Sequence, residues 1–160
     1  MSIDSRAKGA RFEHQIRKML SDHTELEWLR VPGSGAFSAS HALKGDVYLA
    51  PSTGKMSAWT IEAKDYADEV LTSNLFRATE SQFEKFLAQT YREAEQMNAK
   101  PILVFKKTRG ILLCAIDITE AMDIMDSEVP CMVFSKKDYE VVILSFENWL
   151  NTMKTEDLIK

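Results

Sequence analysis

With 160 residues, 45% of them hydrophobic and 28% charged, the chain has room for one domain with a real core, and its composition excludes a disordered or repeat protein. No apolar run approaches the roughly 18 residues that span a bilayer, and the opening MSIDSRAKGARFEH has no apolar signal-like centre, so a soluble cytoplasmic protein is expected, without membrane partners. The net charge of −4 counts against a general phosphate binder, yet residues 1–64 hold nine Lys/Arg against seven Asp/Glu, so the basic excess lies in the first half.

Residues 7–21 place Phe12, Ile16, Met19 and Leu20 at the spacing of an amphipathic helix. Arg6, Lys8, Arg11, Arg17 and Lys18 cluster there, either as a phosphate-facing patch or as a solvated helix face. EWLRV follows as a short strand, and PGSGAFSASHALKG, without usable periodicity, reads as a loop. DVYLA and SAWTIEAK then form two strands around a PSTGK turn, a hairpin in which glycine supplies the permissive backbone.

Residues 79–98 form a second helix with Phe83, Phe86, Leu87, Thr90, Ala94 and Met97 on one face. PILVFKK and GILLCAI are further strands, DITEAMDIM a short helix, VPCMVF and YEVVILSF strands, and FENWLNTM a terminal helix that Ser145 caps. The order predicts an α/β fold, a mixed β-sheet flanked by helices. Cys114 and Cys131 lie in apolar segments without CxxC spacing and read as buried, reduced thiols.

WTIEAKDY loads charge onto an apolar strand, and strand alternation explains how. Trp59, Ile61 and Ala63 point one way, Thr60, Glu62 and Lys64 the other. In the preceding strand Val47 and Leu49 take the apolar side, which leaves Asp46 and Tyr48 opposite. If the two strands pair antiparallel, Asp46 meets Glu62 and Lys64. Two adjacent carboxylates either raise a pKa or recruit a cation, and magnesium or manganese prefers such hard oxygen ligands. The Ala63 carbonyl would add an oxygen, and Lys64 would orient a nucleophile or neutralise developing charge. An exposed hairpin carrying a surface salt bridge is the plain alternative. Glu13 borders the apolar face of the first helix, either joining this group or pairing with Arg17 at i+4.

These residues match a known pattern. An acid in the first helix, Gly45-Asp46 at a strand start and Glu62-Ala63-Lys64 ending the next strand, 16 residues on, resemble the PD-(D/E)xK nuclease superfamily. KGARFEHQIRKML, VPGSGAF and SQFEKFLAQTYREAEQMNAKPILVFK are similar to the opening helix, mobile serine loop and following helix and strand of the archaeal and phage type of Holliday junction resolvase. The resemblance covers roughly residues 7–107. Where that family usually has proline before the strand aspartate, this chain has Gly45.

The resemblance implies a restriction-endonuclease-like fold and a Mg2+-dependent homodimer, with Mn2+ as a substitute, that nicks branched double-stranded DNA in pairs across a four-way junction during recombination or repair. Asp46, Glu62 and the Ala63 carbonyl would bind the metal, Glu13 would hold a metal water and Lys64 would be catalytic. Ser34, or else Ser38 or Ser40, corresponds to the loop serine. Lys8, Arg11, Arg30 and Lys44 are candidate DNA contacts, with Gln82 as the polar residue that often follows the E-x-K strand and Lys85 beside it. Residues 117–160 lie outside the likeness, as a C-terminal extension of one domain spanning 1–160 or a partner-binding element, with Trp149 and Met153 read as core. A restriction-like or repair nuclease, and a non-catalytic DNA-binding module, are the alternatives on the same fold. The expected setting is a prokaryotic or virus-infected cell, near the nucleoid.

Overall fold

A computed structural model of the chain describes residues 2–32 and 43–160, residues 2–5 by their backbone alone. The first helix, α1 (Ser2–Thr24), is longer than its apolar stripe requires. Phe12, Ile16 and Leu20 are all buried, each burial contributing about 2 kcal/mol. Thr24 ends the helix by donating its hydroxyl to the Leu20 carbonyl at 2.8 Å while accepting from Trp28 Nε1 at 3.0 Å, and Glu25 turns the chain at φ 59°.

Among the described residues seven strands form one mixed sheet in the order β1-β2-β3-β4-β5-β7-β6. They are β1 (Trp28–Arg30), β2 (Val47–Leu49), β3 (Trp59–Tyr66), β4 (Lys100–Lys107), β5 (Leu113–Asp117), β6 (Met132–Lys136) and β7 (Tyr139–Ser145). The expected β2–β3 pairing is present and antiparallel, through Val47 opposite Ile61. Its connection contains a 3-10 turn at Pro51–Thr53 closed by Gly54 at φ 66°. β3 and β4 run parallel over eight residue pairs, joined by the crossover helix α2 (Gln82–Gln96).

Helix α2 starts three residues later than its periodicity suggests because Ser81 caps it. The Ser81 hydroxyl accepts from Glu84 N at 3.3 Å, and Glu84 Oε2 accepts from Ser81 N at 2.7 Å, a reciprocal capping box. Lys136 of β6 adds an ion pair to the same carboxylate at 2.9 Å. Asn98, at φ 49°, ends the helix region, and β4 begins at Lys100.

Alternation along β4 divides the core. Ile102 and Val104 join Phe12, Ile16, Trp28, Trp59 and Ile61 on the α1 face; Leu103 and Phe105 join Phe83, Phe86 and Leu87 on the α2 face. Both faces of the central strands are thus covered by helices. DITEAMDIM resolves into a 3-10 turn at Ile118–Glu120 and the short helix α3 (Met122–Met125).

The chain beyond residue 117 completes the sheet. β7 pairs with β5, and α4 (Phe146–Thr152), whose cap Ser145 accepts from Asn148 N at 3.3 Å, buries Trp149 edge-on against Trp59 at 5.1 Å between ring centroids. Met153 packs against the same core. The last helix, α5 (Thr155–Leu158), leads to a bridge between Ile159 and Ser57. Cys114 is buried, as expected, but Cys131 is exposed. VPCMVF reads as a strand with a buried cysteine, yet Cys131 just precedes β6, which lies at the sheet edge and among the described residues pairs with β7 alone. Among the described residues no helix is long and apolar enough to cross a membrane.

Candidate active site

The β2–β3 register brings the strand acids together. Gly45, at φ 84°, turns the chain so that Asp46 N donates to the Ile61 carbonyl at 2.7 Å. Asp46 Oδ2 in turn accepts from Ala63 N at 2.7 Å, which fixes its carboxylate against β3. A Cβ at Gly45 would stand 2.9 Å from the Ile61 carbonyl oxygen, so both the space and the backbone angle require glycine.

Glu62 points to the α2 side, as alternation predicts, and is 3% exposed. Its Oε1 accepts from Gln89 Nε2 at 2.9 Å and lies 3.5 Å from Lys64 Nζ. Its Oε2 is buried without a hydrogen-bond partner among the described residues. Lys64 Nζ also sits over the Phe86 ring, 5.4 Å from its centroid, which holds the ammonium beside the carboxylate.

Glu13, on α1, lies near enough to Asp46 and Lys64 to feel their charges. Its partner is Arg30 of β1, at 3.2 Å, and not Arg17, whose Nε donates to His14 Nδ1 at 3.0 Å. Farther along α1, Lys8 donates to the Thr108 hydroxyl at 3.1 Å, past the end of β4, and Thr108 contacts Asp65 at 3.3 Å. Lys106 of β4 covers the Phe12 ring at 5.4 Å.

An acid just before β2, another on β3, a lysine two residues on and a helical glutamate are the residue types expected of a PD-(D/E)xK centre. The family model described as "Phage putative PDDEXK endonuclease" matches residues 4–160. The chain belongs to this family. Protein D14 of Escherichia phage T5 is similar to it over the full length of both chains, with 52% identity across 161 aligned positions. No solved structure matches. As a member of the phage PDDEXK endonuclease family, the protein is a nuclease with a restriction-endonuclease-like α/β fold.

PD-(D/E)xK nucleases generally use divalent metals, and the electrostatics of this member suit one. Burial pushes the Glu62 carboxyl up to about 10, reinforced by a carboxyl contact with Glu93 and by the charge of Asp46, with Lys64 opposing. Burial also raises Asp46, against the Ala63 amide that favours its ionised form. Glu13 is raised by burial and by Asp46, with Arg30 opposing. Ionising these groups together requires positive charge beyond that of Lys64 and Arg30. The orphaned Glu62 oxygen beside Asp46 fits a hard cation that completes its shell with backbone oxygen, water and phosphate. Among the described residues no group of three or more His, Cys, Asp or Glu side chains is placed to hold a metal ion.

The remaining candidates separate. Lys8 and Arg30 are engaged with Thr108 and Glu13, whereas Arg11 is exposed on α1 and Lys44 is half-buried just before Gly45. Ser34, Ser38 and Ser40 fall outside the described residues. Gln82 is the first residue of α2, with Lys85 exposed in the same first turn; the glutamine that meets Glu62 is Gln89, two turns further on. Sequence reasoning missed Gln89 and Glu93. Their signal was a Q-x-x-x-E spacing on the helix that faces the charged side of β3.

Proposed function

We propose that the protein is a Mg2+-dependent endonuclease, Mn2+ serving as a substitute, that acts as a homodimer on branched double-stranded DNA and resolves four-way junctions by paired nicks. The observation that carries the hydrolytic reading is the buried Glu62 with one unsatisfied oxygen beside the anchored Asp46. The similarity of the opening helix and of the segment from 81 to 107 to junction resolvases supports the choice of substrate. Two incisions on two strands call for two sites related by a two-fold axis, hence the dimer. DNA recombination or repair in the cytoplasm of an infected bacterium, at the nucleoid, is the setting this reading fits.

In this proposal Asp46, Glu62 and the Ala63 carbonyl would hold the cation, and Glu13 would hold a water beside it. The bound cation supplies Lewis-acid stabilisation of negative charge on the phosphodiester and acidifies water. Lys64, held beside Glu62 by the Phe86 ring, orients the attacking water and offsets charge on the scissile phosphate. Asp46 keeps its orientation through the Ala63 amide, and Gln89 keeps that of Glu62. Lys8, Arg11, Arg30, Lys44, Gln82 and Lys85 are proposed DNA contacts, with Ser34 as the loop serine.

The test is cleavage of a labelled mobile four-way junction and of a linear duplex of the same sequence, with Mg2+ or Mn2+. Paired symmetric nicks in the junction alone are expected. Equal cutting of both would remove junction selectivity, and tight junction binding without cutting would favour a non-catalytic module.

A further inference from the structure

A cavity of about 330 Å³ lies between β2, the turn that joins it to β3, and the end of α2. Lys44, Tyr48, Lys55, Met56, Thr60 and Met97 line it. Val47 and Ile61 pair across the two strands and pack in the core on the α1 face, so their neighbours Tyr48 and Thr60 take the other face, as Glu62 does. Thr60 lies two residues before Glu62, about 7 Å along the strand, so the cavity adjoins the candidate active site.

The lining is mainly apolar, and its charge is of one sign. Lys44, Lys55 and Lys160 contribute to it and, among the described residues, no Asp or Glu does, in a chain whose net charge is −4. Lys160 donates to the Asn98 carbonyl at 2.6 Å. Lys44 and Lys55 form no ion pair among the described residues. Tyr48 is half-buried and Met56 is 58% exposed, so apolar surface remains open to a ligand. The larger cavity near the last helices, about 830 Å³, carries Glu120, Asp123, Glu156 and Asp157 against Lys100 and Lys160 and does not suit a phosphate.

We propose that this cavity takes an unstacked nucleobase of the DNA strand held at the candidate active site, with Lys44 and Lys55 on the flanking phosphates. The inference rests on the reading of Asp46 and Glu62 as a DNA-cutting site. A base presents two flat faces, which suit the Tyr48 ring and the polarizable thioethers of Met56 and Met97, while its phosphates call for cations. A purely apolar ligand would fill the cavity but leave Lys44 and Lys55 without counter-charge. Drawing a base out of a duplex costs its pairing and stacking, and costs least where stacking is already interrupted. The cavity therefore favours branch points and single-stranded segments over an unbroken duplex.

The experiment uses the full-length protein with a chelator present, so that binding is read without cleavage. Fluorescence anisotropy follows a labelled short oligothymidylate, a four-way junction and a linear duplex of the junction's sequence. Wild type is compared with Tyr48→Leu, Lys55→Ala and Lys154→Ala, the last an exposed lysine that does not line the cavity. Tyr48→Leu and Lys55→Ala are each expected to weaken binding of the oligothymidylate and the junction about fivefold or more, with the duplex less affected, and Lys154→Ala to leave binding unchanged. An oligothymidylate carrying iodouracil is expected to photocross-link to Tyr48, Met56 or Met97 of the wild type, a result that decides the matter should Tyr48→Leu not fold. Unchanged oligothymidylate affinity in Tyr48→Leu, or cross-links only elsewhere, overturns the inference. An equal loss on the duplex also overturns it, since the cavity would then contact DNA without holding a base. A dimer seen by light scattering and lost in Tyr48→Leu, with DNA affinity kept, assigns the cavity to a second copy and overturns it too. If base binding behaves as expected but no DNA is cut once Mg2+ or Mn2+ is restored, the cutting reading fails and the cavity assignment stands. If Glu62→Gln abolishes cutting while Tyr48→Leu leaves oligothymidylate binding untouched, the cavity assignment alone fails.

Discussion

Gln89 donates its side-chain amide to Oε1 of Glu62 at 2.9 Å, across the gap between α2 and β3. This bond orients the most deeply buried acid of the site. Replacing Gln89 with Leu keeps the volume and removes the donor, so DNA cleavage is expected to fall by about tenfold or more while the far-ultraviolet circular dichroism stays native. Gln96→Leu, an exposed residue at the end of the same helix, is expected to leave cleavage unchanged. Equal loss of cleavage in both variants would mean that Gln89 acts by something other than its contact with Glu62.

The raised Glu62 carboxyl makes the metal-free protein sensitive to alkali. In the unfolded chain this group loses its proton near 4.5, whereas in the folded protein it keeps it up to about 10. The folded state therefore binds more protons across that interval, and stability present below 4.5 is lost as pH rises toward 10. Chelator-treated protein should melt at progressively lower temperature from pH 5 to pH 9, and Glu62→Gln should flatten that slope. A wild-type slope identical to that of Glu62→Gln would remove Glu62 as its source.

Gly45→Ala should unseat Asp46. The added methyl meets the Ile61 carbonyl oxygen at 2.9 Å in a backbone conformation that alanine disfavours. A stability loss of about 1–3 kcal/mol in chemical denaturation is expected, with cleavage reduced further than stability alone accounts for. Native stability in this variant would show that the turn has another way to form.

The two thiols should separate by reactivity. Cys131 is exposed just before the edge strand β6, and Cys114 is fully buried with its thiol pushed well above the usual range. One equivalent of a thiol reagent should react under native conditions and a second only on unfolding. Cys131→Ser should abolish the fast phase, and persistence of that phase would place it at Cys114.

Much of the site was readable from local pattern. The two-residue period of WTIEAKDY places Glu62 and Lys64 opposite Trp59 and Ile61, and the observed β2–β3 register sets Asp46 beside them. What lay beyond reach depends on distances in the chain. Arg30 pairs with Glu13 only because β1 packs under α1, a neighbour that an i+4 rule along one helix cannot name. Helix α2 announces its apolar face, but its register against β3 follows from the length of the crossover, so Gln82 and Gln89 could not be ranked from sequence. Cys131 failed for a related reason. An apolar segment looks the same whether its strand is central or at the edge, and strand order is not written in any one segment.

The parallel pairing of β3 with β4 also sets when the site can exist during synthesis. Glu13, Asp46, Glu62 and Lys64 all leave the ribosome early, but Glu62 has no Gln89 to hold it until α2 is made, and β3 lacks a neighbour on one side until residues 100–107 follow. Lys8 waits just as long for Thr108. A chain interrupted before that point carries the acids without their supports. The geometry thus delays assembly of the candidate active site until most of the polypeptide has been translated.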